Sequence, residues 1–140
     1  MLRKGIILLL GCLANTVLFA STVLVFVSFS MPDRLLEETL KESSRLRIPA
    51  YLNGLYHDSM RDTALKIMEL SKQVPNLNLA IDPTLFERFG IQQVPALVVD
   101  EGNAFDVIYG HLTLQEGLSR IAGHGDTHFS SRDARRISGE

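Results

Sequence analysis

The sequence predicts one α/β domain, in which helices alternate with the strands of a small sheet. Runs of apolar, often β-branched residues alternate with stretches of helical periodicity over residues 23–122, in the order β-α-β-α-β-α-β-β-α. Helices between successive strands are typical of parallel sheets, and a hairpin followed by a helix completes the pattern. The chain has 140 residues, of which 46% are hydrophobic, enough for one domain with a core of its own.

A proline directly before an apolar strand helps to choose among the α/β folds. Proline lacks the N–H that a strand ladder needs, so it is confined to strand ends and tight, often cis, turns. We therefore predict that the Val94–Pro95 bond is cis. The stretch that begins at Gly90, Gly-Ile-x-x-Val-Pro-Ala, resembles the cis-proline segment of the thioredoxin fold. The chain has one cysteine, Cys12, and therefore no Cys-x-x-Cys motif.

The first β-α-β unit is predicted from three short stretches. Residues 23–29 form an apolar run broken only by Ser28, as expected of a strand that is buried on both faces. Pro32 and Asp33 suit the first turn of a helix, because proline needs no N–H there and a carboxylate opposes the positive end of the helix dipole. Residues 49–52 are predicted to be a second short strand.

A helical insertion is predicted after the second strand, at about residues 56–74. Asp58 is placed to cap a helix that runs to about Leu70. Four apolar residues at helical spacing are expected to form its buried face: Met60, Ala64, Ile67 and Met68. The predicted fold is thus thioredoxin-like, with a helical insertion and without the Cys-x-x-Cys motif.

Turn residues predict the elements that follow the insertion. Residues 77–81 are extended. Asp82 caps a short helix that Pro83 begins and Gly90 ends.

The last elements are a hairpin and a helix. Residues 95–99 and 105–109 are predicted to pair as antiparallel strands on either side of a Glu-Gly-Asn turn. Thr113 and Glu116 form a capping box for the final helix, which Gly123 ends.

Composition divides the chain into three parts. Residues 1–20 are predicted to be a signal peptide, residues 21–122 the folded domain, and residues 123–140 a disordered tail. The tail is rich in Gly, Ser, Asp and Arg and has little apolar content. Its basic run, residues 132–136, is interpreted as solvated.

The N-terminus has the features of an export signal. A basic start at residues 3–4 precedes residues 5–18, which are apolar apart from Asn15 and Thr16, and Ala20 offers a small residue before a cut at Ser21.

Two alternatives to a cleaved signal stay open. Apolar character continues to residue 29, which is long enough for an uncleaved membrane anchor, although residues 22–29 are also the best first strand. Residues 9–12, Leu-Leu-Gly-Cys, resemble a lipoprotein cleavage box, although the apolar stretch before it is short.

The residues at the positions of redox cysteines lack redox chemistry. In a redox thioredoxin two cysteines lie at a helix N-terminus, where the dipole lowers the thiol pKa. Aligning Pro32 with the proline of Cys-Gly-Pro-Cys puts Ser30 and Asp33 at the cysteine positions. A hydroxyl forms no thiolate and a carboxylate has no redox couple, so we interpret Ser30 and Asp33 as a helix cap.

The sequence gives little support to other catalytic or metal chemistry. A nucleophilic Ser30 needs a general base, but His57 and His111 lie outside any nucleophile-elbow or Ser-x-x-Lys context, so we expect solvated loop histidines. His124 and His128 lie in the tail, which offers no frame for a metal. A net charge of −2 gives no electrostatic argument for nucleic acid. We predict no catalytic, cofactor-binding or metal-binding residue.

Several motifs, in order, resemble the TrbC family of F-type conjugative-transfer proteins. Residues 25–32, Val-Phe-Val-Ser-Phe-Ser-Met-Pro, are similar to the family's Phe-Val-Ser-x-Ser-Met-Pro opening. Residues 81–96 resemble its Ile-Asp-Pro-x-Leu-Phe-x-x-Tyr/Phe-Gly-Val/Ile signature and the Val-Pro-Ala that follows. Residues 109–114 resemble its Gly-x-x-Ser/Thr-Leu segment, and Asn53 replaces the arginine of its Arg-Gly-Leu segment.

The resemblance implies a periplasmic protein of a Gram-negative bacterium. It implies a non-enzymatic role in assembling a conjugative pilus by a type IV secretion apparatus. It also implies contact with a TraW-like partner and other transfer components, no cofactor, and no stable membrane insertion after signal cleavage. The alternative is a thioredoxin-like periplasmic enzyme or chaperone that acts on exported proteins, and the missing Cys-x-x-Cys argues against its oxidoreductase form.

The thioredoxin resemblance also predicts where a partner binds. Thioredoxins hold extended peptides beside the cis-proline by backbone pairing. By this analogy the expected partner-binding face consists of Ser30, Met31, Pro32, Asp33, Val94 and Pro95.

Overall fold

A computed structural model of the chain describes residues 20–110 and 112–140. Its five strands are β1 (Thr22–Val27), β2 (Ala50–Leu52), β3 (Leu79–Ile81), β4 (Ala96–Asp100) and β5 (Phe105–Tyr109). They form one sheet in the order β3-β2-β1-β4-β5. The first three strands are parallel, β4 is antiparallel to β1, and β5 is antiparallel to β4.

The helices follow the predicted order, with one addition. They are α1 (Asp33–Arg45), a 3-10 turn (Tyr56–Asp58), α2 (Met60–Gln73), α3 (Pro83–Arg88), α4 (Leu114–Ile121) and the additional α5 (Ser131–Ser138). Within residues 20–110 and 112–140, no helix combines the length and apolar character needed to cross a bilayer. The predicted signal peptide, including Cys12, lies outside the described residues apart from Ala20.

Two hydrophobic clusters cover opposite faces of the sheet, because side chains alternate along β1. The main cluster contains Val23, Val25 and Val27 together with buried residues of α1, α2, α4 and α5. The aromatic cluster contains Leu24 and Phe26 together with residues of α3 and β4. The continuous apolar run of β1 is therefore explained by burial on both faces, as predicted.

The proline segment has the predicted geometry. The Val94–Pro95 bond is cis, and β4 begins at the next residue. Asp82 caps α3, and Gly90, with φ of 61°, allows the chain to turn after the helix. The amide N–H of Gly110 donates to the Pro95 carbonyl at 3.2 Å, which ties this segment to the end of β5.

The predicted cap of α2 is wrong, and its predicted buried face is confirmed only at Ile67. Ser59, not Asp58, caps α2 by accepting from the Asp62 N–H at 3.1 Å. Thr63 and Leu70 are the buried residues of α2 and Ile67 packs partly buried against the main cluster, whereas Met60, Ala64 and Met68 are exposed. The Thr63 hydroxyl turns inward because it donates to the Ser59 carbonyl at 2.7 Å and accepts from the Tyr56 N–H at 2.8 Å.

The capping box predicted for the last helix is only half formed. Thr113 accepts from the Glu116 N–H at 3.1 Å. Glu42 of α1 supplies further acceptors, and its two carboxylate oxygens bind the N–H groups of Leu114 and Gln115 at 2.8 and 3.1 Å. A carboxylate at this helix N-terminus also opposes the dipole, so α1 holds α4 in place.

The expectation of a disordered tail over residues 123–140 is also wrong. Ser130 and Asp133 form a capping box for α5, and Gly139 ends it with φ of 80°. Phe129 and Ala134 are buried in the main cluster. The buried ring of Phe129 and the capping box of α5 therefore order this segment in spite of its polar composition.

Two carboxylates near the β4–β5 turn hold the segment that leads to α5. Asp106 accepts from the Asp126 N–H at 2.7 Å and from the N–H and hydroxyl of Thr127 at 3.0 and 2.6 Å. Glu101 accepts from the His128 N–H at 2.6 Å. A Cβ at position 125 would overlap the Asp106 carboxylate, so this close approach requires Gly125.

These hydrogen bonds make the stability of the tail dependent on pH. Partial burial by itself raises the pKa of Asp106, but the hydrogen bonds from Thr127 and Asp126 outweigh burial and hold that pKa below its ordinary value. The stabilisation is therefore complete above the unfolded-state pKa of about 3.9, and it is lost as the pH falls through the lower folded-state pKa.

We expect Asp106→Asn to lower the free energy of unfolding by about 1–2 kcal/mol above about pH 5, because an amide replaces a charged acceptor of three hydrogen bonds. The difference from wild type should shrink as the pH falls, which urea denaturation at several pH values would measure. Asp126→Asn is the matched control, because Asp126 is exposed and contributes its backbone N–H to this contact. Equal losses in the two variants would contradict the role of Asp106.

Candidate functional site

The strand register brings three loops together at one edge of the sheet. Val27 pairs with Leu52, so the segments that follow β1 and β2 emerge side by side. Phe26 pairs with Ala96 of the antiparallel β4, so the segment that precedes β4 reaches the same edge. Residues 28–33, 53–58 and 91–95 therefore meet there, and we call this surface the sheet-edge face.

The six residues of the predicted partner-binding face all lie at this edge, but they differ in accessibility. Ser30, Pro32 and Asp33 are exposed. Met31 is 6% exposed and belongs to the main cluster. Val94 is partly buried between the two clusters, and Pro95 is buried. The exposed three can touch a partner directly, whereas the other three shape the surface.

The interpretation of Ser30 and Asp33 as a helix cap is wrong. The N-cap residue of α1 is Pro32, which makes no side-chain capping bond. The hydroxyl oxygens of Ser30 and Ser28 are hydrogen-bonded at 2.8 Å, and the Ser30 N–H donates to the Ser28 hydroxyl at 3.1 Å. Asp33 occupies the first helical position, with its side chain exposed and its nearest cation, Lys66, 4.0 Å away.

A shallow cavity of about 290 Å³ lies beside Ser30 on the sheet-edge face. Its lining comes from the ends of β1 and β2 and from the 3-10 turn, namely Ser28, Phe29, Ser30, Leu52, Asn53, Gly54, Leu55, Tyr56 and His57. The rings of Phe29 and Tyr56 pack edge to face at 5.4 Å, which forms an aromatic wall. The sequence-based prediction of the face did not include Asn53, Tyr56 or His57.

His57 stands on this wall in an unusual backbone conformation. Its φ is 53°, and φ of the next residue, Asp58, is 52°, a left-handed pair that residues with side chains seldom adopt. The imidazole stacks on Tyr56 with ring centroids 3.9 Å apart, and its Nδ1 lies 3.4 Å from Asp62 Oδ2. Its side chain is 64% exposed, which confirms the prediction of a solvated loop histidine; His111 lies outside the described residues.

Ser30 and His57 line the same cavity, and Asp62 contacts His57, but the three lack the contacts of a nucleophilic site. A serine nucleophile requires a hydrogen bond to its general base. In the described part of the chain, Ser30 is bonded to Ser28 rather than to His57. The geometry of this edge is that of a polar recognition surface with an aromatic wall.

The histidines of the tail are occupied by structural contacts. His124 Nδ1 lies 2.9 Å from the Ala122 carbonyl, and His128 Nδ1 lies 3.1 Å from Glu101 Oε2. Over residues 20–110 and 112–140, no three His, Cys, Asp or Glu side chains are grouped as metal ligands.

Comparison with known proteins identifies the family. Residues 25–129 match the family described as "Type-F conjugative transfer system pilin assembly protein". This chain belongs to that family. The match extends to Phe129, so the family's domain includes the segment that the two carboxylates anchor.

A curated relative in the family is "Periplasmic protein TrbC" of Escherichia coli (strain K12). It is 38% identical to this chain over 110 residues, which are 79% of this chain and 52% of the relative. The chain thus spans about half the length of that relative.

Two solved structures share the fold. "Structure of MTB dsbF in its mixed oxidized and reduced forms" superposes with a TM-score of 0.52 at 16% identity, and the match covers 86% of this chain and 82% of that one. "Crystal Structure of StoA from Bacillus subtilis" superposes with a TM-score of 0.50 at 13% identity, with coverage of 70% and 79%. The family member described here therefore has a thioredoxin-like fold, as predicted, and the fold is all that these two likenesses establish.

Proposed function

We propose that this chain is a periplasmic assembly factor for a conjugative pilus of an F-type type IV secretion system. The observation that carries the proposal is the match of residues 25–129 to the pilin assembly family, supported by the name of the periplasmic E. coli relative. In this proposal the protein acts through protein–protein contacts and not by catalysis.

The β1–α1 junction supports a non-enzymatic role. Thioredoxin-like enzymes place reactive cysteines at this helix start, where the dipole lowers the thiol pKa. Here the segment is Ser30-Met31-Pro32-Asp33, and the one cysteine of the chain, Cys12, is far from it in sequence. A fold that keeps the helix start and the cis-proline but carries no thiols at that site retains a binding surface.

The sheet-edge face is the proposed contact surface. Phe29 and Leu55 offer apolar contacts, and they are flanked by the Ser30 hydroxyl, the Asn53 amide and the His57 imidazole. A mixture of aromatic and polar side chains around a shallow cavity is typical of interfaces between proteins that fold separately. A TraW-like pilus-assembly protein is the proposed partner, by resemblance to the family. Asn53 replaces the arginine of the family's motif, so we expect the partner to meet an amide here instead of a cation.

We expect Ser30→Arg to reduce capture of a TraW-like partner at least about tenfold, since a bulky charged side chain would obstruct the cavity of the sheet-edge face. Pilus number and transfer frequency should fall with it. Ser119→Arg, the same change at an exposed serine on α4, is the matched control. Pull-down from periplasmic extract, pilus counting and thermal unfolding would measure the effects.

Two results would overturn parts of this proposal. Unchanged partner capture by a folded Ser30→Arg protein would place the interface elsewhere. Reduction of insulin disulfides by the purified protein, above a buffer blank, would contradict the non-enzymatic role and favour the enzyme alternative.

A further inference from the structure

Helix α2 turns an apolar stripe towards solvent. Met60, Ala64 and Met68 follow one another at intervals of four residues, so they lie in one row along the helix. Leu65 lies next to this row, and Met60, Leu65 and Met68 are 64%, 55% and 59% exposed. The helix buries Thr63 and Leu70 on its other side, so its own domain leaves the stripe uncovered.

The shape of the stripe suits another helix. Positions i, i+3, i+4 and i+7 of a helix form a hole that accepts a side chain from a helix packed against it. Arg61, Ala64, Leu65 and Met68 stand at such positions. The small Ala64 leaves a depression between the longer side chains. The exposed row spans about 12 Å, or eight residues at 1.5 Å each, which is the contact length of a short helix.

The charged residues near the stripe indicate the charge of the surface that would cover it. Arg61 and Lys72 are exposed, and their separation of eleven residues places them on the same side of the helix, about 16 Å apart. In the part of the chain that the structure describes, neither pairs with a carboxylate, whereas the nearby Glu69 faces Lys66 and Asp62 faces His57. Two unneutralised cations therefore stand at the two ends of an uncovered apolar stripe.

We propose that α2 docks an amphipathic α-helix of another protein. The apolar side of that helix packs on Met60, Ala64, Leu65 and Met68, and carboxylates near its two ends face Arg61 and Lys72. A second copy of this chain is a poorer occupant, because the carboxylates of its own α2, Asp62 and Glu69, already face His57 and Lys66.

The surface adjoins the sheet-edge face but is distinct from it. Leu65 and Lys66 line a second shallow cavity that shares Tyr56 and His57 with the first. Because no residue of the stripe belongs to the proposed TraW-like contact, the two proposals can fail separately.

A charge-swap experiment with synthetic helices tests the proposal. The probe is a fluorescent amphipathic peptide with leucines along one side and glutamates near both ends of that side, and its twin carries lysines in place of the glutamates. We expect the full chain to bind the glutamate peptide about tenfold more tightly in fluorescence anisotropy, since two exposed ion pairs replace two repulsions. The preference should reverse in Arg61→Glu/Lys72→Glu, and Leu65→Asn, which removes apolar area without changing the charge, should abolish binding of the glutamate peptide.

Matched controls locate the binding. Phe105→Asn changes an apolar residue of similar exposure on β5, and Arg135→Glu changes an exposed cation on α5. Both variants should bind the glutamate peptide like wild type. Equal affinity for the two peptides, or a preference that does not reverse, would overturn the proposal. So would co-sedimentation with phosphatidylglycerol vesicles, or a dimer in sedimentation velocity, that Leu65→Asn abolishes, since the occupant would then be a membrane or a second copy.

Discussion

Replacing Phe129 by alanine is expected to lower the free energy of unfolding by about 3–5 kcal/mol, the usual cost of removing a buried phenylalanine side chain. Phe129 is 2% exposed and joins residues of α4 and α5 in the main cluster. Its backbone carbonyl also accepts from the Gly123 N–H at 3.0 Å, so the residue is tied to the turn after α4 by its backbone and to the core by its side chain. Urea denaturation followed by circular dichroism would measure the loss.

Local opening should accompany this loss of stability. Amides of α5 are expected to exchange faster than those of β1 and β4, because Phe129 and Ala134 are the buried apolar side chains that attach the segment to the core. Phe105→Ala is the control, since Phe105 is 42% exposed and its main aromatic contact is Phe89, 5.0 Å away. It should cost about 1 kcal/mol. A similar cost for both variants would show that the segment after α4 is not part of the core.

The order of the elements could be predicted because local signals and tertiary structure agree. The apolar run of β1 matches its burial on both faces. The start of α3 is fixed by Asp82 and Pro83, and its end by Gly90, which are local effects of backbone chemistry. The cis bond at Pro95 follows from proline's missing donor at a strand start.

The predictions for α2 and for the tail failed because polar contacts outweighed the apolar pattern. In α2 the apolar residues Met60, Ala64, Ile67 and Met68 suggested the buried side, but the Thr63 hydroxyl is drawn inward by the backbone of the turn before the helix, and of the four only Ile67 packs against the core. In the tail, Ser130 and Asp133 already had the spacing of a capping box, a signal that overall composition obscured. The carboxylate of Asp106, twenty residues away from Asp126, could not be linked to the tail from sequence alone.

Part of the candidate site could be predicted from the sequence, and the rest depends on how distant strands pair. Ser30 and Pro95 were expected together by analogy with the thioredoxin fold, and the register of β1 with β4 brings their segments to one edge. Asn53 and His57 belong to the turn after β2, which reaches that edge because β1 and β2 are parallel and end together. Pairing of strands that are distant in sequence, not a motif, places these two residues in the cavity.

The second large effect is expected at Phe26, in the aromatic cluster. Phe26 is fully buried and packs edge to face against Phe86 of α3 at 4.8 Å, with Phe89 and Tyr51 at 6.0 and 5.9 Å. Phe26→Ala is expected to lower the free energy of unfolding by about 3–5 kcal/mol. Phe26→Leu keeps most of the volume and loses the ring contacts, so about 1–2 kcal/mol is expected. Urea denaturation would measure both.

The same variants test whether the aromatic cluster positions the sheet-edge face in addition to stabilising the whole domain. Phe86 and Phe89 hold α3 on the sheet, and the Ile91 N–H donates to the Phe86 carbonyl at 2.9 Å, at the start of the segment that leads to Pro95. Loss of the Phe26 ring should therefore speed exchange of the Ile91 amide more than that of Leu52, which lies in β2 and packs in the main cluster. Partner capture should weaken in Phe26→Ala even at temperatures where the protein remains folded. Uniform acceleration of exchange, with partner capture lost only on unfolding, would show that the aromatic cluster stabilises the whole domain without positioning the segment before β4.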